Sequence, residues 1–181
     1  NLTVDAEEMD RLELSLDIIE NVFTNAALEG WEGFGLVVQA YQKRAPFVLD
    51  WLIDLSRRQK RRLMIRLVKG AYWDTDMKDS QVRGLEGYAV YTRKPSTDVS
   101  YIACAKKLAA APDAVYPQFA THNAQTVAVI LEMMKDRRDF EFQCLQGMGQ
   151  PLYDHIVGTK NLNLPCRIYA PVGVHQDLPP Y

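Results

Sequence analysis

Six short apolar runs, each followed by a stretch with helical spacing, restrict this chain more than any other feature. The runs are Leu2 to Val4, Phe34 to Ala40, Leu63 to Val68, Val115 to Ala120, Phe140 to Leu145 and Cys166 to Ala170. Between them the apolar residues recur at helical intervals over Ala6 to Ala27, Pro46 to Leu55, Asp74 to Arg83, Thr97 to Ala110, Ala124 to Lys135 and Pro151 to Val157. No two strands are adjacent. Strictly alternating strands and helices predict a parallel sheet, either doubly wound or closed into a barrel. After the last run, Pro179 and Pro180 prevent the segment opening at Val174 to Asp177 from becoming a helix.

The positions of the polar residues choose between the two. Asp5, Gln39, Arg66 with Lys69, Thr121 with His122, Gln143 and Tyr169 all fall at or near the carboxyl ends of their strands. An open sheet uses one or two strand ends around a switch point, whereas a (β/α)8 barrel collects its site from many. The expected fold class is therefore α/β, a (β/α)8 TIM-type barrel. Six strands in 181 residues fall short of the eight strands and roughly 200–250 residues of that fold. The reading is a partial barrel lacking its first and last strands, with residues 1–181 forming part of one barrel domain.

Within this frame the stretch Arg62 to Asp74 stands out. Leu63, Met64, Ile65, Leu67 and Val68 make a strand apolar on both faces, yet Arg66 lies inside it. A guanidinium cannot shed its proton, so burying it demands an anionic or acceptor-rich neighbour. Lys69, Gly70, Tyr72 and Trp73 follow directly. Two cations, a glycine that permits close backbone approach and two aromatics suit a large, flat, partly anionic ligand. A buried carboxylate partner for Arg66, with the aromatics in the core, is the structural alternative. Asp5 likewise reads either as a site residue or as a helix N-cap. The basic run Arg57, Arg58, Lys60, Arg61 and Arg62 reads as cations at the negative end of the preceding helix, with a nucleic-acid or membrane patch as the alternative.

Composition removes several function classes. A net charge of −2 gives no reason to expect nucleic acid. No apolar run reaches the ~18–20 residues of a membrane helix. Cys104, Cys144 and Cys166 are odd in number and widely spaced, which points to a reduced, cytoplasmic setting rather than to a disulfide framework. Of three histidines none forms a ligand-like pair, His155 and His175 reading as surface residues, so no metal site is expected. No Gly-x-Gly-x-x-Gly is present, so a dinucleotide would have to be held as barrels hold it.

The motifs Val4-Asp5-Ala6-Glu7-Glu8, Val38-Gln39-Ala40-Tyr41, Arg66-Leu67-Val68-Lys69-Gly70-Ala71-Tyr72-Trp73, Tyr91-Thr92-Arg93-Lys94, Phe119-Ala120-Thr121-His122-Asn123, Glu141-Phe142-Gln143-Cys144-Leu145 and Arg167-Ile168-Tyr169-Ala170-Pro171-Val172-Gly173 occur in order along the chain. Together they closely resemble the proline dehydrogenase domain of bacterial proline utilisation A flavoproteins, over roughly strands 2 to 7 of its barrel. The resemblance implies FAD, oxidation of L-proline to 1-pyrroline-5-carboxylate and transfer of electrons to a quinone. It also implies an aldehyde dehydrogenase domain in the full-length parent and a cytoplasmic protein that meets the inner membrane peripherally. By the same resemblance Arg66, Tyr72 and Asp5 are catalytic. Asp5, Tyr72, Leu145 and Tyr169 surround proline, while Gln39, Arg66, Lys69, Gly70, Ala71, Trp73, Thr92, Lys94, Thr121, His122, Asn123, Gln143 and Cys144 contact FAD.

The sequence also departs from the family pattern. The adjacent arginine pair that binds the substrate carboxylate, and a lysine at the first strand, are not found; Gln146 and Gln150 replace a usual histidine and glutamate. Two rival readings stand beside the resemblance: a non-catalytic truncated barrel, resting on the missing strands, and a Schiff-base aldolase using Lys69, a lysine at a barrel strand end.

Overall fold

The computed structural model describes residues 1–174, so His175 and the prolines Pro179 and Pro180 lie outside the described residues. Six strands form one parallel sheet in sequence order: β1 (Leu2–Val4), β2 (Phe34–Gln39), β3 (Leu63–Val68), β4 (Val115–Ala120), β5 (Glu141–Leu145) and β6 (Cys166–Tyr169). Each strand pairs only with its chain neighbours, as in an arc of a barrel wall; the register runs through Val37↔Arg66, Arg66↔Gln118 and Gln118↔Glu141. All the expected strands are present, with ends shifted by no more than a residue.

Alternation along the strands divides the sheet into two faces. On the outer face Leu36, Leu63, Ile65, Leu67, Val115, Phe119 and Phe142 are almost completely buried. They pack in one core with Leu49, Leu52 and Leu55 of α2 (Ala45–Gln59), Tyr101, Cys104 and Leu108 of α4 (Lys94–Ala109), and Val127 and Ile130 of α5 (Ala124–Met133). The inner face carries Arg66, Gln118, Glu141, Gln143 and Arg167, a polar lumen rather than an apolar one. Gly35 shares this face by alternation, and it is glycine there because a side chain would collide with the Met64 backbone.

The segment read as one helix over Ala6 to Ala27 is divided. A 3₁₀ turn at Met9–Arg11 leads into α1 (Leu12–Phe23), and a second turn covers Ala26–Leu28. Asp5 is therefore not an N-cap; Glu8 precedes the first turn in an extended conformation. The basic run is also reassigned in part. Arg57 pairs with Asp113 and Arg58 with Asp54, but Arg61 donates to the carbonyls of Phe23 and Leu28, closing the carboxyl ends of α1 and the turn after it. Lys60, at φ 52°, ends α2 in the left-handed conformation.

Candidate active site

The carboxyl ends of the strands surround a cavity of about 590 Å³, lined by Asp5, Gln39, Arg66, Lys69, Gly70, Ala71, Tyr72, Lys94, Thr121, His122, Asn123, Leu145 and Tyr169 among others. Its volume falls in the range of small-molecule sites, ~300–1,000 Å³. A second cavity of about 390 Å³ is lined by Lys69, Gly70 and Lys94 together with Tyr41, Trp73 and Thr92. Shared lining residues join the two into one elongated cleft.

Arg66 lies at the base of that cleft, on the inner face of β3. Its Nη2 donates to Asp5 Oδ1 over 2.6 Å, and its guanidinium carbon stands 5.0 Å from the centre of the Tyr169 ring. The pair is asymmetric: the Arg66 side chain is 14% exposed and that of Asp5 74%. The carboxylate partner is thus not buried, contrary to the structural alternative drawn from sequence. Arg66 Nε is itself buried without a protein hydrogen-bond partner among the described residues. Tyr169 and Arg66 form a cation–π contact that also fixes the plane of the guanidinium.

Gln39 bridges two loops at the rim. Its Nε2 donates to the Glu7 carbonyl over 2.8 Å and its Oε1 accepts from the Ala71 amide over 3.0 Å. Gly70, at φ +148°, brings the β3 loop against the face of Tyr41, where a Cβ would sit 2.2 Å from ring carbon Cδ1. Tyr72 is the residue before α3 (Trp73–Val82), and burial next to Asp5 and Glu8 pushes its phenol upward. The Trp73 indole donates to the Tyr91 carbonyl over 2.9 Å.

Lys69 and Lys94 converge on one carboxylate. Asp98 accepts from Lys69 Nζ at 2.5 Å and from Lys94 Nζ at 2.9 Å, and these two hydrogen bonds hold its carboxyl below the usual range. An amine engaged in this way is poorly placed for Schiff-base chemistry, which needs it neutral. The sequence reading passed over Asp98, although its spacing of four from Lys94 was a usable signal. It also passed over Asp76, whose carboxylate accepts from the Tyr41 hydroxyl and, at 3.0 Å, from the Met9 amide.

Thr121, His122 and Asn123 follow the end of β4. Asn123 caps α5 through Thr126, and the Thr121 carbonyl accepts from the Tyr153 hydroxyl over 2.7 Å. Two sequence-derived residues lie away from the cleft. Gln143 is buried in the lumen, donating to Glu141 Oε1 over 2.7 Å. Cys144 points to the opposite face of β5, where its sulfur is 3.7 Å from that of Cys166 and lines a different cavity. The parity of the strand explains it: Leu145 and Gln143 share one face, and Cys144 takes the other. Among the described residues no cluster of three or more metal-ligating side chains occurs, and no helix is long and apolar enough to cross a membrane.

The proline dehydrogenase family model matches residues 1–181. This chain belongs to the proline dehydrogenase family. It is 60% identical to the bifunctional protein PutA of Klebsiella aerogenes and 57% identical to that of Rhizobium meliloti, each over 99% of this chain. It superposes with a TM-score of 0.94 and 56% identity on a crystal structure of a Bradyrhizobium japonicum proline utilization A variant, covering 98% of this chain and 18% of that one. The Bdellovibrio bacteriovorus protein, in a form inactivated by N-propargylglycine, is similar at 30% identity with a TM-score of 0.90. The chain spans 14% of the length of the Klebsiella relative. Its six-stranded arc is a partial barrel of the proline dehydrogenase type.

Proposed function

We propose that residues 1–181 are part of a single barrel domain that oxidises L-proline to 1-pyrroline-5-carboxylate with FAD, and that the electrons continue to a quinone. The observation that carries this reading is Arg66, a fixed cation held between Asp5 and Tyr169 at the base of the cleft, with a buried Nε that no protein acceptor satisfies among the described residues. A cation with an unmatched donor fits the polar edge of a flavin ring. The glycine approach at Gly70 and the cations Lys69 and Lys94 along the second cavity fit a phosphate-bearing chain. When bound, FAD would supply the two-electron acceptor.

The protein's part is positional and electrostatic. The carbon next to the proline nitrogen gives up a hydride and the nitrogen its proton, which makes the C=N bond of the product. Arg66 would stabilise the negative charge that develops beside it without reorganising, because Asp5 and Tyr169 already hold it in place. Tyr72, Leu145 and Tyr169 would form the walls against which the proline ring lies, orienting that carbon and excluding water. Gln39 would contribute through the two loops it bridges, with Gly70, Ala71, Trp73, Thr92, Thr121, His122 and Asn123 along the cofactor.

The longer parent protein would add an aldehyde dehydrogenase domain acting on the hydrolysed product. It would be cytoplasmic and touch the inner membrane peripherally, with no role for nucleic acid in this segment. The test is a visible absorption spectrum of the purified chain with FAD, followed by proline under anaerobic conditions. A protein-bound flavin band that bleaches on adding proline is expected. Bound flavin that proline leaves unchanged would favour a barrel segment that keeps its cofactor site without turnover, and no bound flavin from a folded chain would overturn the reading.

A further inference from the structure

The ladder between β4 and β5 runs through Gln118↔Glu141, Phe119↔Phe142 and Ala120↔Gln143 and stops there. Leu145 lies two residues beyond Gln143. Its amide donates to a side chain, His122 Nε2, over 3.0 Å. On its other side Leu145 is in register with Tyr169 of β6, whose carbonyl accepts from the Gln146 amide over 2.9 Å. The imidazole therefore extends the β4–β5 ladder in place of backbone.

That contact dictates the state of the ring. A nitrogen that accepts from an N–H carries no proton, so the imidazole is neutral and its single proton sits on Nδ1. Burial acts in the same direction, lowering the imidazole below its ordinary value. The surrounding chain is shaped to the ring. Gly149, at φ +69°, has a backbone conformation that favours glycine, and a Cβ there would crowd the imidazole at 3.0 Å from His122 Cδ2. The Tyr153 hydroxyl, donating to the Thr121 carbonyl, fixes the residue before it.

We propose that His122 is a positioning residue: as the neutral Nδ1–H tautomer it holds the Leu145 amide and thereby sets where the Leu145 side chain stands on the cavity wall. What the wall contacts rests on the proline-oxidising reading; the tautomer and the hydrogen bond do not. A wall fixed through a side chain, rather than through the ladder, can be moved by one substitution without disturbing the strands.

The test uses the chain labelled with ¹⁵N, at neutral pH and without added cofactor. Long-range proton–nitrogen correlation is expected to show His122 with a protonated Nδ1 and an unprotonated Nε2, and a coupling across the hydrogen bond from Leu145 N to His122 Nε2. The exposed His155 serves as internal reference. A protonated Nε2, or a charged ring, would overturn the proposal. With rates expressed per bound flavin, His122→Leu should raise KM for proline about tenfold, a larger effect than on kcat, and His122→Gln, which keeps an acceptor, should recover most of that loss. Equal KM in His122→Leu and the parent protein would also overturn it. Should His122→Leu not fold, the wild-type spectrum decides. Should the chain bind no flavin, the proposed function fails while the tautomer result stands.

Discussion

Arg66 and Asp5 make an ion pair of 2.6 Å between strands that are not neighbours, since β2 separates β3 from the end of β1. The guanidinium crosses over Val37, its register partner, to reach the carboxylate. Asp5 is mostly exposed, and an exposed pair contributes little to stability, about 0–1 kcal/mol. Its effect should therefore fall on function. Asp5→Asn is expected to leave the unfolding midpoint in urea nearly unchanged while slowing anaerobic flavin bleaching by about 10–100-fold, the equivalent of one charge-assisted hydrogen bond. Arg66→Lys should do at least as much, because a point charge cannot keep both the Asp5 contact and the stacking on Tyr169. Stopped-flow absorbance with a urea titration on the same samples separates the two effects.

Much of this site was legible because barrels place polar groups by parity at strand ends. Asp5, Gln39, Arg66, Lys69, Thr121, His122 and Tyr169 could be placed at or just beyond the carboxyl ends of their strands, and they line one cavity; Gln143, read at the same rim, lies in the lumen, and Leu145 entered only through the family resemblance. Parity also shows why Cys144 does not belong with them. The sequence could not show which cation meets which carboxylate. Asp98 lies 29 residues from Lys69, and Asp76 lies 35 from Tyr41; both carboxylates sit on helices, α3 and α4, whose placement beside these partners only the fold decides. The division of the first helix was hidden too, since its apolar spacing runs on through the turn at Met9–Arg11.

Asp98 offers a test of the cation pair along the second cavity. Hydrogen bonds from Lys69 and Lys94 lower its carboxyl in the folded state. A depressed folded value means stability that is fully present above the unfolded value, ~4, and lost as pH falls through the folded one. Asp98→Asn should flatten the acid limb of the stability curve below about pH 4 and leave its neutral region displaced but parallel. Thermal unfolding by circular dichroism across pH 3–7, in ~0.1 M salt so that longer-range terms are screened, measures it. An unaltered acid limb would show that the pair does not form in solution.

The neutral histidine predicts a second, separate pH effect. His122 has a folded value depressed by burial, and the charged groups lining the same cavity are Asp5 from β1, Arg66 and Lys69 from β3 and its loop, and Lys94 from α4. Because the unfolded chain takes up this proton more readily than the folded one, stability should decline as pH falls below about 6.5 and level off beneath the folded value. His122→Gln should abolish that component while leaving the Asp98 component intact. Urea midpoints at half-unit intervals between about pH 5 and 8 would resolve it; a decline that persists unchanged in His122→Gln would assign it elsewhere.

Glu141 tests the polar lumen under the cleft. It is 4% exposed, and its carboxylate accepts from Gln118 Nε2 at 2.8 Å, Gln143 Nε2 at 2.7 Å and Arg167 at 2.8 and 2.9 Å. Arg167 is the half-exposed lid on an otherwise buried charge. Removing it should cost more than removing the acid, since an unpaired buried carboxylate is worse than none. Arg167→Met is expected to destabilise by about 1.5–3 kcal/mol, and adding Glu141→Gln to it should restore part of the loss. That sign is the discriminating feature. A simple packing role would make the two substitutions additive, whereas a buried charge in need of a partner makes the double variant more stable than Arg167→Met alone.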